Sequence, residues 1–132
     1  MVLLTIGLVF AAVASLLHGF FFYLESVVFT TPLTWKRFGV DSQVDADVLK
    51  PMAYNQGFYN LFLAIGTIVG IVLAAAGHTA VGGALAIFGT ASMALAGVVL
   101  ASTGRAMIRA AAIQFVPAAL AVLLTAIGLA TR

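Results

Sequence analysis

The sequence predicts an all-α fold, a four-helix transmembrane up-down bundle, and three observations carry that prediction. Apolar residues make up 64% of the 132-residue chain and charged residues 8%, proportions well outside those of a water-soluble domain of this length. The apolar residues fall into four runs, each long enough as a helix to cross a hydrocarbon core that needs about 20 residues. The connections after the second and third runs are short, which forces antiparallel neighbours. A chain of this size cannot hide so much apolar surface in an aqueous core, so lipid must be its solvent.

The first run extends from Val2 to about Phe29. At ~1.5 Å of rise per residue it is longer than the ~30 Å hydrocarbon core, so it must tilt or protrude. Thr30-Thr31-Pro32 ends it, because a proline disfavours helical geometry in the residue before it. Trp35, Lys36 and Arg37 then read as an aromatic and basic anchor at the headgroups. Met1 to Phe10 holds no Lys or Arg and no charge precedes Glu25, which argues against a cleavable signal peptide. Between Phe38 and Lys50 lies a soluble segment with three acids, Asp41, Asp45 and Asp47, suited to capping a short surface helix.

Pro51 suits the first turn of a second helix from about Met52 to Ala76, and Gly77-His78-Thr79 makes a turn. A third helix runs from Ala80 to about Thr103, where Gly104 breaks it. The fourth, from about Arg105 to Ala130, contains Pro117, expected to kink it and to release the carbonyl of Ile113. Together these form one integral-membrane domain over residues 1–132. Gly66 and Gly70 make a G-x-x-x-G pair in the second helix, and Gly82, Ala86, Gly89, Ser92, Ala96 and Gly97 thin the third. Small residues let backbones approach, either within one chain or across a homodimer.

Six Lys or Arg against four Asp or Glu leave a net charge of +2, with the positives gathered at the ends of runs. That distribution sets membrane orientation and offers no basic stripe, so no nucleic-acid partner is expected. Lys36, Arg37 and Lys50 flank the first connection and Arg105 and Arg109 the third, whereas the opposite side holds only Arg132. By the positive-inside rule the first and third connections face the cytoplasm, and both termini lie on the extracytoplasmic side of the cell membrane. With no cysteine in the chain, disulfides, thiolate nucleophiles and thiolate metal sites are excluded.

The polar side chains inside the runs are not scattered. His18, Tyr23 and Glu25 end the first helix; Asn55, Gln56, Tyr59 and Asn60 open the second; Arg105, Arg109 and Gln114 open the fourth. All fall in the half next to the first and third connections. His18 and Glu25, seven residues apart, share one stripe of a helix about 10 Å apart along its axis. Turned inward, these faces would build a cytoplasm-facing polar pocket lined by His18, Tyr23, Glu25, Asn55, Gln56, Tyr59, Asn60, Arg109 and Gln114.

Each residue also has a structural reading. Glu25 can snorkel to the interface. If buried, it calls for pairing, with Arg109, Arg105 or His18 as partner, or for protonation, because a carboxylate at bilayer depth costs at least ~2.5 kcal/mol on insertion scales. His18 can be a packing residue, and the amides can tie helices together at about 0.6 kcal/mol each. Tyr23, Tyr54 and Tyr59 fit an interfacial belt. No catalytic triad is visible, no metal or cofactor is implied, and His18 with Glu25 is the one acid–base pair at hand.

The stretch His18-Gly19-Phe20-Phe21-Phe22-Tyr23-Leu24-Glu25, then Trp35 and the Phe38-Gly39 turn, then Asn55-Gln56-Gly57-Phe58-Tyr59-Asn60-Leu61-Phe62-Leu63-Ala64 and Gln114-Phe115-Val116-Pro117-Ala118, resembles a small bacterial inner-membrane family known as domain of unknown function 1304. The resemblance covers nearly the whole chain, and its second-helix block is the most specific part. Phe115 departs from it, standing where a Gly is expected. The resemblance implies no activity. It implies that His18, Glu25, Asn55, Gln56, Tyr59, Asn60 and Gln114 are the positions to test. Three functions compete on these residues. They are recognition of an amphipathic or lipid-like ligand among membrane lipids, membership of a larger membrane complex as a non-catalytic accessory subunit, and membrane-embedded acid–base catalysis by His18 and Glu25.

Overall fold

A computed structural model describes residues 1–131. The elements in chain order are α1 (Val2–Phe22), a π-helical turn (Tyr23–Val27), α2 (Pro32–Arg37), α3 (Gln43–Ala75), α4 (Thr79–Ser102), a 3₁₀ turn (Arg105–Met107) and α5 (Ile108–Ala130). The architecture is all-α, and four of its helical stretches are long and apolar enough to cross a membrane. Only 22–33% of the most apolar 18-residue window of each is buried inside the protein. Val9, Leu16, Phe62, Ile65, Val72 and Phe88 are among the large apolar side chains left outside, the surface of a multi-pass protein solvated by lipid.

The chain forms two compact units, one of Met1–Leu17 with Leu63–Arg132 and one of His18–Phe62. The first is a four-helix bundle built from the start of α1, the later part of α3, α4 and α5. Its helices touch where side chains are smallest, as expected where lipid supplies no hydrophobic drive for association. A Cβ on Gly82 would run into the backbone of Ala74 and the carbonyl of Gly70, and one on Gly89 into Thr67, which joins α3 to α4. Gly97 abuts Phe115 and Ala111, and Gly83 abuts Leu129, joining α4 to α5; Gly128 against Leu4 and Gly7 against Thr125 join α5 to α1. Gly70 is therefore a contact residue, whereas Gly66, its expected companion, has nothing near it. Met93, fully buried, centres a core with Ala14, Ala94 and Ala118. The hydroxyls of Ser15, Thr67 and Thr90 bond back to carbonyls four residues earlier, which satisfies them without a partner helix.

The second unit differs from expectation in three places. The surface helix and the second spanning helix are one continuous α3 of 33 residues that passes straight through Pro51. Ser42 starts it, its Oγ accepting the Asp45 N–H at 3.1 Å and donating to Asp45 Oδ2 at 2.6 Å, a reciprocal cap of the serine-to-acid kind. Ala46 and Leu49 then pack beneath Phe29 and Trp35. That burial holds the helix together across the proline, which costs it the bond to the Asp47 carbonyl. Second, Trp35 is not a headgroup anchor but a buried residue of this small core. Its Nε1 donates to Gln43 Oε1 at 3.1 Å, and Gln43 in turn donates to the Thr30 carbonyl and to Asp47, so the indole has the polar partner that a buried tryptophan needs. Third, α1 ends at Phe22 and the chain widens into the π turn.

Glycine ends α2 and α3 in the same way. Gly39 at φ +71° and Gly77 at φ +94° are flanked by paired return bonds, Val40 to Trp35 with Gly39 to Lys36, and His78 to Leu73 with Gly77 to Ala74. This is the left-handed cap that closes a helix and satisfies its last carbonyls.

Candidate functional site

Glu25 sits in the middle of the π turn, and the second unit is built around its position. The turn lies against α3 at Gly57, where a Cβ would collide with Ser26 Oγ and would come within 3.0 Å of the Ser26 backbone nitrogen and 3.1 Å of Glu25 Cβ. Only a residue without a side chain permits this approach. Ser26 Oγ donates to the Tyr54 carbonyl at 2.8 Å, one turn before Gly57 on α3. Phe58 packs edge-on against Phe22 at 5.1 Å and at a tilt against Tyr54 at 4.9 Å, bracing both sides of the contact. The turn thus held offers Glu25 Oε2 to Asn60 Nδ2 at 2.7 Å, a short hydrogen bond.

The sequence placed His18 and Glu25 on one helical stripe. The π turn undoes that register. Its wider i→i+5 winding advances each residue by less than the α-helical step, so Glu25 falls behind the face that carries His18. His18 is 1% exposed and stacks edge-on with Phe21 at 5.3 Å. Glu25 is paired with an amide, where a cation or His18 was expected.

Asn60, at 8% exposed, is the buried member of the second-helix block. Asn55, Gln56, Tyr59 and also Tyr23 are exposed. Gln114 belongs to the first unit, where it is buried and its Nε2 donates to the Met93 carbonyl at 3.1 Å, tying α5 to α4. Arg109, also of the first unit, is exposed.

A groove of about 290 Å³ opens beside Glu25, with Gln56 as its other polar wall and Phe29, Phe38, Leu49 and Met52 among its apolar ones. A second cavity of about 410 Å³ shares Phe38, Val40 and Leu49 with it and adds Asp41 and Asp45. The apolar walls come from Phe38, Val40 and Leu49 of the expected soluble segment and from its flanks at Phe29, Met52 and Ala53. A carboxylate and an amide at the edge of an apolar groove can hold a polar head while the walls take a hydrocarbon chain. Among the described residues no three His, Cys, Asp or Glu gather as a metal site would require.

A family model described as "Protein of unknown function (DUF1304)" matches residues 12–126. No curated protein and no solved structure matches the chain.

Proposed function

We propose that this chain, which belongs to the DUF1304 family, is a small integral membrane protein that binds the head of an amphipathic, lipid-like ligand in the groove beside Glu25. The Glu25–Asn60 bond supports this reading most directly. It fixes a carboxyl group at the edge of an apolar groove, in a π turn, an irregularity found frequently at functional sites. Of the nine residues expected to line a pocket, the proposal keeps Glu25, Gln56 and Asn60 as ligand-facing or positioning groups. His18 and Gln114 serve as buried supports.

In the proposed orientation the groove faces the cytoplasm, because exposed Lys36, Arg37 and Lys50 flank the first connection, which supplies its walls. Met52→Trp tests the binding. Met52 is 72% exposed and lines the groove, so an indole there fills the space without entering the core. Native mass spectrometry of the protein released from mild detergent should find co-purified lipid or ligand on the wild type and much less on the variant. Equal bound mass on both would refute a groove ligand.

A further inference from the structure

We infer that the groove selects amphipaths with a cationic head, an alkylammonium type of group on a hydrocarbon tail. This deepens the proposed function and rests on it. The groove's polar wall is Glu25 and Gln56, and neither lysine nor arginine lines it. Its neighbour, sharing three wall residues, contributes Asp41 and Asp45 and again no cation. Two adjoining cavities thus carry three carboxylates and no positive side chain. Walls of low dielectric focus such a field and concentrate counter-ions.

The partner of Glu25 sharpens the selection. Asn60 engages Oε2 through a neutral amide, which orients the carboxyl group, supplies no counter-charge and leaves Oε1 for a ligand. An anionic head would meet this carboxylate unpaired, whereas an ammonium pairs with it in partly desolvated surroundings, where charged hydrogen bonds are strongest. Phe29 and Phe38 on the same wall suit an ammonium further, since ring faces attract cations. At about 30 Å³ per water-sized group, the groove holds roughly ten heavy atoms, a head and the first carbons of its chain. The rest of the chain would lie along the lipid-facing surface.

The test uses the full-length protein in neutral maltoside micelles and three probes of equal chain length: decyltrimethylammonium, decanoate and the uncharged monodecanoylglycerol. Wild type should bind the ammonium about tenfold more tightly than decanoate. Glu25→Gln, which keeps an acceptor for Asn60 and the same shape, should remove that preference, weakening the ammonium far more than the uncharged probe. A parallel arm offers phosphatidylethanolamine and phosphatidylglycerol of matched chains. Retention of the ethanolamine lipid by wild type but not by Glu25→Gln identifies the bilayer as the source, and discrimination confined to the soluble probe identifies a free amphipath.

If wild type does not prefer the ammonium, or Glu25→Gln keeps the preference, the charge selection is wrong, even where Met52→Trp still weakens all three probes. If Met52→Trp leaves all three unaffected, the groove reading itself falls, and the selection with it.

Discussion

Replacing Gly57 by alanine puts the packing of the π turn to a direct test. The added Cβ has no free space. It would overlap Ser26 Oγ and press on the Ser26 nitrogen at 3.0 Å and Glu25 Cβ at 3.1 Å. The hydroxyl can rotate away at the loss of its bond to Tyr54, but the backbone nitrogen cannot, so the turn itself must shift. Overpacking of this kind costs about 1–3 kcal/mol, a factor of roughly 5 to 150 in the folded-to-unfolded ratio. Gly66→Ala on the same helix is the control. Nothing lies within 4 Å of its Cβ, and alanine is favoured over glycine inside a helix by about 0.5–1 kcal/mol. The two substitutions are chemically identical and share that helix gain, so the gap between them is the overpacking cost, about 1–3 kcal/mol. Reversible unfolding in mixed micelles, followed by far-ultraviolet circular dichroism, measures both. Ser26→Ala should recover part of the Gly57→Ala loss, and a double-mutant cycle would report that coupling. If Gly57→Ala proved as stable as Gly66→Ala, the close approach of turn and helix would be wrong, and so would the placement of Glu25 that depends on it.

Further outcomes follow from the same contacts. Gln43→Ala removes the acceptor of the sole tryptophan, Trp35. It should red-shift and increase the quenching of its fluorescence while destabilising the second unit by about 1 kcal/mol; unchanged emission would contradict a buried, bonded indole. Gln114→Leu takes away the tie to the Met93 carbonyl and should cost about 0.6 kcal/mol and no more than about 1.7, read by unfolding in micelles. Gly82→Leu drives a side chain into the backbones of Ala74 and Gly70 and should abolish the folded bundle on size exclusion, whereas Gly66→Leu should elute as wild type.

The spanning helices were legible because hydropathy alone defines them, and the use of small residues at helix contacts was legible because lipid leaves little else to hold helices together. Which glycines make contact was not. Gly66 and Gly70 are alike in sequence, and the register of α3 against α4 decides that Gly70 meets Gly82 and Ala86 while Gly66 meets nothing. Pro51 misled in a different way. As a local signal it starts a helix, but burial of Ala46 and Leu49 under Trp35 and Phe29 outweighs one lost backbone bond, and the helix begins eight residues earlier, at Gln43. Trp35 followed membrane statistics into a headgroup belt, and the residue that withdraws it, Gln43, is distinguishable only once α3 is known to start there. At the site, the composition of the second-helix block pointed to Asn60 and Glu25 as members of one cluster. Their pairing depends on the π turn, for which periodicity carries no signal.

The choice of an amide partner for Glu25 has consequences that a cationic partner would not. An arginine beside a membrane carboxylate neutralises it and makes a structural pair, complete without a ligand. Asparagine donates one hydrogen bond and supplies no charge, so the carboxylate is held in place but left to find its counter-ion elsewhere. The strictness of that placement is visible in what surrounds it. Gly57 admits the turn, Ser26 fastens it to the Tyr54 carbonyl, and Phe58 is wedged between Phe22 and Tyr54. If Glu25 only snorkelled to the interface, none of these contacts would be required, because a flexible acid at a helix end reaches water from almost any backbone geometry. A carboxyl group fixed this firmly, bonded to a neutral donor and set in the wall of an apolar groove, is the geometry on which the proposed ligand site rests.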